Sequence, residues 1–447
     1  MAAISEPPRA ADPNEPTAGV APGGASRAVG LVCVACGARR GLALENACPE
    51  CLGPLTVAYD LAAVRGGRGG RPGASGLARY AELLPPVADP DRAYALEGTP
   101  LRDAPRLARE LGIGRLYLKD DTVLPTGSFK DRPAAVAVAQ AVARGARAIG
   151  CASTGNLAAA TARAAAREGR PAFVFVPEGL PAGKLDPVRA LGGRIVEVPG
   201  GYDRTNRIAA LAAEALEIAF VNIGLRPYYA EGSKTAWYET LDALGGEAPD
   251  RIVVPLGSGA LLAATGRAVR ETAALGWIRH GSPVPALVGS QPEGCDPIVE
   301  AFRLGRTEIR PVREPRGVAE SLAIGDPASG PEALRAIAAS GGTADAPSDG
   351  EVRAGIRDLA RLEGIWVEPA GGTVVATLRR LARSGFLRPQ DRVVAHLTGA
   401  GWKAPGSSGP RAAPPLRLDP VHPDFSALRA ELDRNPEPPA GGGEGPW

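Results

Sequence analysis

Lys130 closes the stretch Pro125-Thr126-Gly127-Ser128-Phe129-Lys130 and is followed by Asp131-Arg132. An apolar, strand-like run (Leu116-Tyr117-Leu118) and two acidic residues precede it, and an alanine-rich helical pattern runs from Pro133 to about Ala143. A lysine at such a junction faces helix N–H groups that have no partner. That end of a helix repels a protonated amine and attracts anions. The setting favours a neutral, nucleophilic amine able to form an imine with a carbonyl. By itself the residue carries little, because most lysines are solvated surface charges.

Three further stretches change that. Leu256-Gly257-Ser258-Gly259-Ala260 lies between a strand-like and a helix-like run. The amides of Gly257, Ser258, Gly259 and Ala260 can cradle a phosphate at the helix start. Neither the triphosphatase nor the dinucleotide glycine spacing is present, so one monophosphate suits the turn. An ordinary tight turn is the other reading. Ser153-Thr154-Gly155-Asn156 opens a second helix. Ser153 and Thr154 offer hydroxyls and free amides to a carboxylate, and Asn156 an amide to a phenolic oxygen. A plain helix cap uses the same residue types. Thr398 ends a strand before Gly399-Ala400-Gly401, where its hydroxyl can meet a ring nitrogen or simply serve a turn. An imine-forming lysine, a monophosphate turn, a carboxylate-binding helix start and a late hydroxyl together describe pyridoxal phosphate and an amino-acid substrate.

The elements that must hold these groups alternate. Strands are expected at 115–119, 148–152, 172–176, 194–198, 219–222, 251–255, 286–290, 366–368 and 392–397. Helices are expected at 102–111, 133–143, 157–168, 182–191, 203–216, 233–244, 261–274, 297–304, 331–340, 349–363 and 372–384. Repeated β-α-β means α/β architecture, with parallel sheets covered by helices and ligands at the strands' carboxyl ends.

Before this body come Cys33-Val34-Ala35-Cys36-Gly37 and Cys48-Pro49-Glu50-Cys51-Leu52-Gly53. Two CxxC knuckles offer Cys33, Cys36, Cys48 and Cys51 to one tetrahedral ion, a zinc-ribbon pattern. Four thiolates close the shell, so such a zinc is structural. Two reduced thiol pairs without metal are the alternative.

The chain resembles pyridoxal-phosphate enzymes of the tryptophan-synthase-β fold type (fold type II), and within them the threonine synthases. The resemblance rests on Pro125–Arg132, on Cys151-Ala152-Ser153-Thr154-Gly155-Asn156-Leu157 and on Tyr202-Asp203-Arg204-Thr205-Asn206. It extends over Arg226-Pro227-Tyr228-Tyr229-Ala230-Glu231-Gly232-Ser233-Lys234-Thr235 and Pro255–Gly259. Ser321-Leu322-Ala323-Ile324-Gly325-Asp326-Pro327 and Thr398-Gly399-Ala400-Gly401-Trp402-Lys403 complete it. An N-terminal cysteine ribbon also occurs in some threonine synthases.

The resemblance implies that Lys130 holds the cofactor as an imine and shuttles protons. It implies that Asn156 meets the phenolic oxygen, Gly257–Ala260 the cofactor phosphate, and Thr398 the pyridine nitrogen. Ser153 and Thr154 would hold substrate. The implied reaction turns O-phospho-L-homoserine and water into L-threonine and phosphate. Many members carry an arginine facing the substrate phosphate where this chain has Tyr229; Arg226 is expected to substitute, an arginine fork being suited to phosphate. Trp402 beside the ring-nitrogen loop is also unusual. A related β-elimination or β-replacement enzyme acting on serine, threonine or phosphoserine is the alternative. A non-catalytic ribbon adaptor ranks below both, since Lys130 and the glycine turn are present.

The expected organisation is a disordered tail at 1–28, a ribbon at 29–58 and a linker at 59–92. A larger cofactor-binding lobe (93–135 and 230–403), a smaller lobe (136–229) and a mobile tail (404–447) follow. The 447 residues suffice for a large core, and a formal net charge of +2 argues against nucleic-acid or membrane-surface partners. No apolar run reaches membrane-span length and no secretory pattern opens the chain. A cytoplasmic enzyme is expected, and the resemblance adds a homodimer.

Overall fold

The computed structural model describes residues 25–407, apart from Pro181, together with Ser426 and Arg429. Most of both expected tails lies outside these residues. The last part of the 1–28 tail does not, and it is ordered: Ser26 Oγ donates to the Leu84 carbonyl at 2.6 Å, and Arg27 pairs with Glu82.

The ribbon is a three-stranded antiparallel sheet of β1 (Ala28–Cys33), β2 (Arg39–Arg40) and β3 (Leu55–Tyr59), in the order β2-β1-β3. Alternation puts Leu31, Leu55 and Val57 inside. The expected linker at 59–92 is only partly a linker. Its run Gly76–Leu83 forms a 3-10 helix whose Leu77, Tyr80 and Leu83 are buried. The Gly/Arg-rich composition of 65–76 hid the apolar pattern that follows it. Helix α1 (Pro90–Ala93) then leads into β4 (Leu101–Asp103).

The helix expected from residue 102 starts later. β4 pairs antiparallel with β5 (Arg115–Asp120), and α2 (Pro105–Leu111) begins at a proline, which suits a first helical turn. Helix α3 (Asp131–Ala143) follows the Lys130 loop.

β6 (Ile149–Ala152), β7 (Ala172–Pro177), β8 (Arg194–Val198) and β9 (Ala219–Phe220) form a parallel sheet ordered β8-β7-β6-β9. Between them run α4 (Asn156–Arg167), α5 (Ala182–Ala190) and α6 (Tyr202–Leu216). Helix α7 (Arg226–Ala243) leaves this sheet. It begins at Arg226 rather than Ser233, because Gly232 is a packing residue and not a loop residue. A Cβ there would stand 2.3 Å from the Arg132 carbonyl oxygen, so glycine lets α7 lie against the start of α3.

The larger sheet adds β10 (Arg251–Pro255), β11 (Ala286–Ser290), β12 (Thr343–Asp345) and β13 (Arg392–Leu397) to β4 and β5, in the order β12-β11-β10-β13-β5-β4. All neighbours except β4 are parallel. Helices α8 (Ala260–Ala274), α9 (Pro297–Arg303), α10 (Gly330–Ala339), α11 (Asp349–Glu363) and α12 (Pro369–Arg383) cover it. The strand expected at 366–368 is a single bridge, Val367 to Ala400, and β12 takes an edge that no strand was expected to fill. β10, β11 and β13 are buried nearly throughout, as strands covered on both faces are.

Candidate active site

Three neighbouring parallel strands, β10, β13 and β5, end on the same edge of the large sheet. Their outgoing loops carry Gly257–Ala260, Thr398–Gly401 and Lys130. Strand spacing of about 4.8 Å sets these loops side by side. The β13 and β5 loops are also hydrogen-bonded to each other. Phe129 N donates to the Thr398 carbonyl at 2.9 Å, Ala400 N to the Gly127 carbonyl at 2.9 Å, and Lys403 Nζ to the Thr126 carbonyl at 2.8 Å.

Lys130 sits immediately before α3, as its sequence context indicates. Its Nζ donates to Tyr229 Oη at 2.6 Å and lies 4.5 Å from the Phe129 ring centroid. Tyr229 comes from the first turn of α7, so the α3–α7 contact at Gly232 brings the two side chains together. Under this contact Arg132 is wholly buried. It donates to Asp121 at 2.9 and 3.0 Å, to Glu239 at 2.6 and 2.7 Å, and to Thr99 and Thr235. Burial alone would raise the Asp121 carboxyl. The guanidinium of Arg132 and the His396 ring, 2.9 Å away, hold it well below the usual carboxylate range. Lys119 completes the cluster through Glu239, at 2.6 Å.

The phosphate turn has the conformation its glycines suggest. Gly259 is left-handed (φ +83°), and a Cβ there would lie 2.8 Å from the Ser329 carbonyl oxygen. Gly259 offers no side-chain cap, and Ser258 Oγ accepts only a long bond from Ala260 N, at 3.5 Å, which leaves the first N–H groups of α8 for a ligand. α4 is likewise uncapped, with Ser153 and Thr154 half-buried before it. The Asn222 amide holds both backbone atoms of Ala152 at 3.0 Å, fixing the end of β6. Arg226 begins α7 on the same edge of the small sheet; it is exposed, and its Nε donates to the Asn222 carbonyl at 3.2 Å. A phosphate monoester, a ring with a phenolic oxygen and an aldehyde fit these donors: a glycine cradle, uncapped helix starts and a lysine amine.

Two contacts were not foreseen. The Asn156 amide donates to both Glu368 oxygens, at 3.0 and 3.1 Å. Glu368 also lies against Gly399, where a Cβ would be 2.2 Å from its Oε1, so its carboxyl stands between Asn156 and the Thr398 loop. Burial pushes this carboxyl above the usual range, against the pull of Asn156, Lys403 and Lys130. Its signal in the sequence was an acidic residue before Pro369 at a strand end, which reads as an ordinary boundary. Tyr229 stands out in the sequence only as a departure, and its hydrogen bond to Lys130 has no sequence signature.

In the ribbon the four cysteine sulfurs lie within 4.8 Å of one another. Cys33 and Cys51 are 3.5 Å apart, and Cys36 and Cys48 3.7 Å. A tetrahedron of Zn–S bonds has edges of about 3.8 Å, so the donor set fits zinc. The Cys36 N–H at 3.5 Å is the main influence lowering the Cys33 thiol to about 6.

The chain belongs to the pyridoxal-phosphate dependent enzyme family, whose profile matches residues 93–399. Its curated relatives include threonine synthases. That of Methanocaldococcus jannaschii is 37% identical over 377 residues, covering 83% of this chain and 92% of that protein. That of Methanosarcina acetivorans is 37% identical over 378 residues, covering 84% and 92%. Among solved structures, threonine deaminase isoform 2 of Solanum lycopersicum superposes with a TM-score of 0.59 over 68% of this chain and 84% of that one. At 21% identity it shows the fold alone, a fold-type-II pyridoxal-phosphate enzyme. No helix among the described residues is long and apolar enough to cross a membrane.

Proposed function

We propose that this chain is a threonine synthase, a lyase that converts O-phospho-L-homoserine and water to L-threonine and phosphate in threonine biosynthesis. The observation that carries the reading is the extent of the match: 37% identity spans 92% of a curated threonine synthase. The site supports it. Pyridoxal phosphate, when bound, supplies an electron sink that acidifies the Cα and Cβ protons of an amino acid.

In this reading the chain's own groups bind, orient and move protons. The amides of Gly257, Ser258, Gly259 and Ala260 hold the cofactor phosphate at the α8 start. Thr398 faces the pyridine nitrogen, and the Asn156 amide turns from Glu368 to the phenolic oxygen. Ser153, Thr154 and the free amides of α4 grip the substrate carboxylate. Lys130 Nζ, held by Tyr229, takes the Cα proton and then a Cβ proton, and returns one at Cγ after phosphate leaves. Water then adds its hydroxyl at Cβ, its proton going to the released phosphate, and the second proton returns to Cα. Arg226 offers a fork to the substrate phosphate. The larger lobe (93–135 and 230–403) carries the cofactor and the smaller (136–229) the substrate groups. A cytoplasmic homodimer, with no nucleic-acid partner, completes the reading.

Expression in a bacterial strain lacking its own threonine synthase tests it. Growth without threonine is expected for the native chain and not for Lys130→Ala. Soluble, cofactor-loaded protein that fails to restore growth would count against threonine synthesis. It would favour elimination or replacement on serine, threonine or phosphoserine, with Tyr229 in the arginine's place as the reason.

A further inference from the structure

We propose that Tyr228 is a positioning residue that ties the four-cysteine ribbon to the Lys130 amine, so that the metal state of the ribbon sets the environment of the active-site lysine. Helix α7 has no side-chain cap at Leu225, so contacts with other elements fix its first turn. The Tyr228 side chain is fully buried, and its Oη donates to the Ala43 carbonyl at 2.8 Å. Arg144, just past α3, donates to the adjacent Leu42 carbonyl at 3.0 Å and lies 4.7 Å over the Tyr228 ring. Two consecutive ribbon carbonyls thus hold the start of α7, which supplies Tyr229, and the far end of α3, the helix that Lys130 precedes. A turn further along α7, Tyr59 of β3 donates to Glu231 at 2.7 Å, and Lys234 lies 4.3 Å over the Tyr59 ring.

Leu42 and Ala43 belong to the segment between Cys36 and Cys48, which contains no helix and no strand beyond Arg40. Its ends are the two knuckles, so a bound ion fixes the carbonyls that Tyr228 and Arg144 grip. Tyr229, the next residue, accepts from Lys130 Nζ at 2.6 Å. Releasing the knuckles releases Tyr228, and Tyr229 moves with it. Among the described residues, Tyr229 of α7 accepts from the amine, and the Glu368 carboxyl beside α12 and the Cys151 thiol of β6 feel its charge. Only Tyr229 is joined to the ribbon through its neighbour, so the coupling runs through α7.

The inference rests on Lys130 carrying the cofactor, not on which substrate is used. The test is a pH titration of the visible absorbance of the lysine-bound cofactor. It is made on zinc-loaded holoenzyme, native and Tyr228→Phe, before and after a zinc chelator. Chelation should move the native midpoint by about half a unit or more, the worth of one hydrogen bond. Tyr228→Phe should titrate like the chelated native protein, and chelating the variant should add little, because coupled changes are not additive. Arg144→Gln should move the midpoint in the same direction. A role confined to packing would change melting temperature and leave the midpoint in place. Equal chelation shifts in native and variant protein, or no shift in either, would overturn the inference. So would native protein that takes up no zinc. Absence of the visible absorbance altogether would instead remove the reading of Lys130 on which the inference stands.

Discussion

At the scale of single residues, the site is a lysine amine held by a phenol and an asparagine amide held by a carboxyl. Tyr229→Phe removes the acceptor on Lys130 Nζ while keeping the ring. It should still bind cofactor, and kcat for threonine formation should fall by about three- to tenfold, the worth of one hydrogen bond. Steady-state kinetics decide this, and an unchanged kcat would show that Tyr229 does not hold the amine. Glu368 makes a prediction about stability. Its folded pKa lies above its unfolded value, chiefly through burial. The folded state therefore favours the neutral acid, and the associated stability is present at low pH and lost as pH rises through the folded value. Glu368→Gln keeps an acceptor for Asn156 without the charge. In cofactor-free protein it should melt higher than the native chain at pH 8, with the difference vanishing near pH 4. Thermal melts at the two pH values test this, and a lower melting temperature for the variant at pH 8 would contradict it.

At the scale of elements, two glycines and one buried arginine hold the loops in register. Gly259→Ala must place a Cβ 2.8 Å from the Ser329 carbonyl in a left-handed backbone, so it should lose about 1–3 kcal/mol and bind pyridoxal phosphate more weakly. Denaturant melts and cofactor titration measure the two effects separately. Arg132→Ala takes the guanidinium from buried Asp121 and Glu239, leaving them only His396 and Lys119 as cationic neighbours, and should cost about 3–5 kcal/mol, detectable in the same melts. Much of this level was legible beforehand. The strands at Arg251–Pro255, Ala286–Ser290 and Arg392–Leu397 and the helix at Asp349–Glu363 fall where apolar runs and caps put them, because local pattern and burial agree there. The start of α7 was not legible, because glycine inside a helix looks like a break until its neighbour is known. Lys130, Asn156, the glycine turn and Thr398 could be named from local context. Tyr229–Lys130 and Asn156–Glu368 could not, since each joins elements distant in the chain.

At the scale of the whole chain, the ribbon, the sheets and the site share helices. Tyr59 and Ala43 of the ribbon contact α7, α7 lies on α3, and Lys130 immediately precedes α3. If the four cysteines bind zinc, Cys48→Ser should reduce zinc to well below one ion per chain, while the parallel sheets stay folded. Metal analysis beside circular dichroism checks both halves; full zinc occupancy in the variant would remove Cys48 from the ligand set. The measurement that bears most directly on the central claim is the product balance. Pure protein with pyridoxal phosphate is given O-phospho-L-homoserine, O-phosphoserine, serine and threonine in separate reactions, with Lys130→Ala as control. Threonine, inorganic phosphate and keto acid are quantified in each. Threonine and phosphate in equal amounts from phosphohomoserine alone, lost in the control, are predicted. Keto acid from serine or threonine, with phosphohomoserine untouched, would contradict the account.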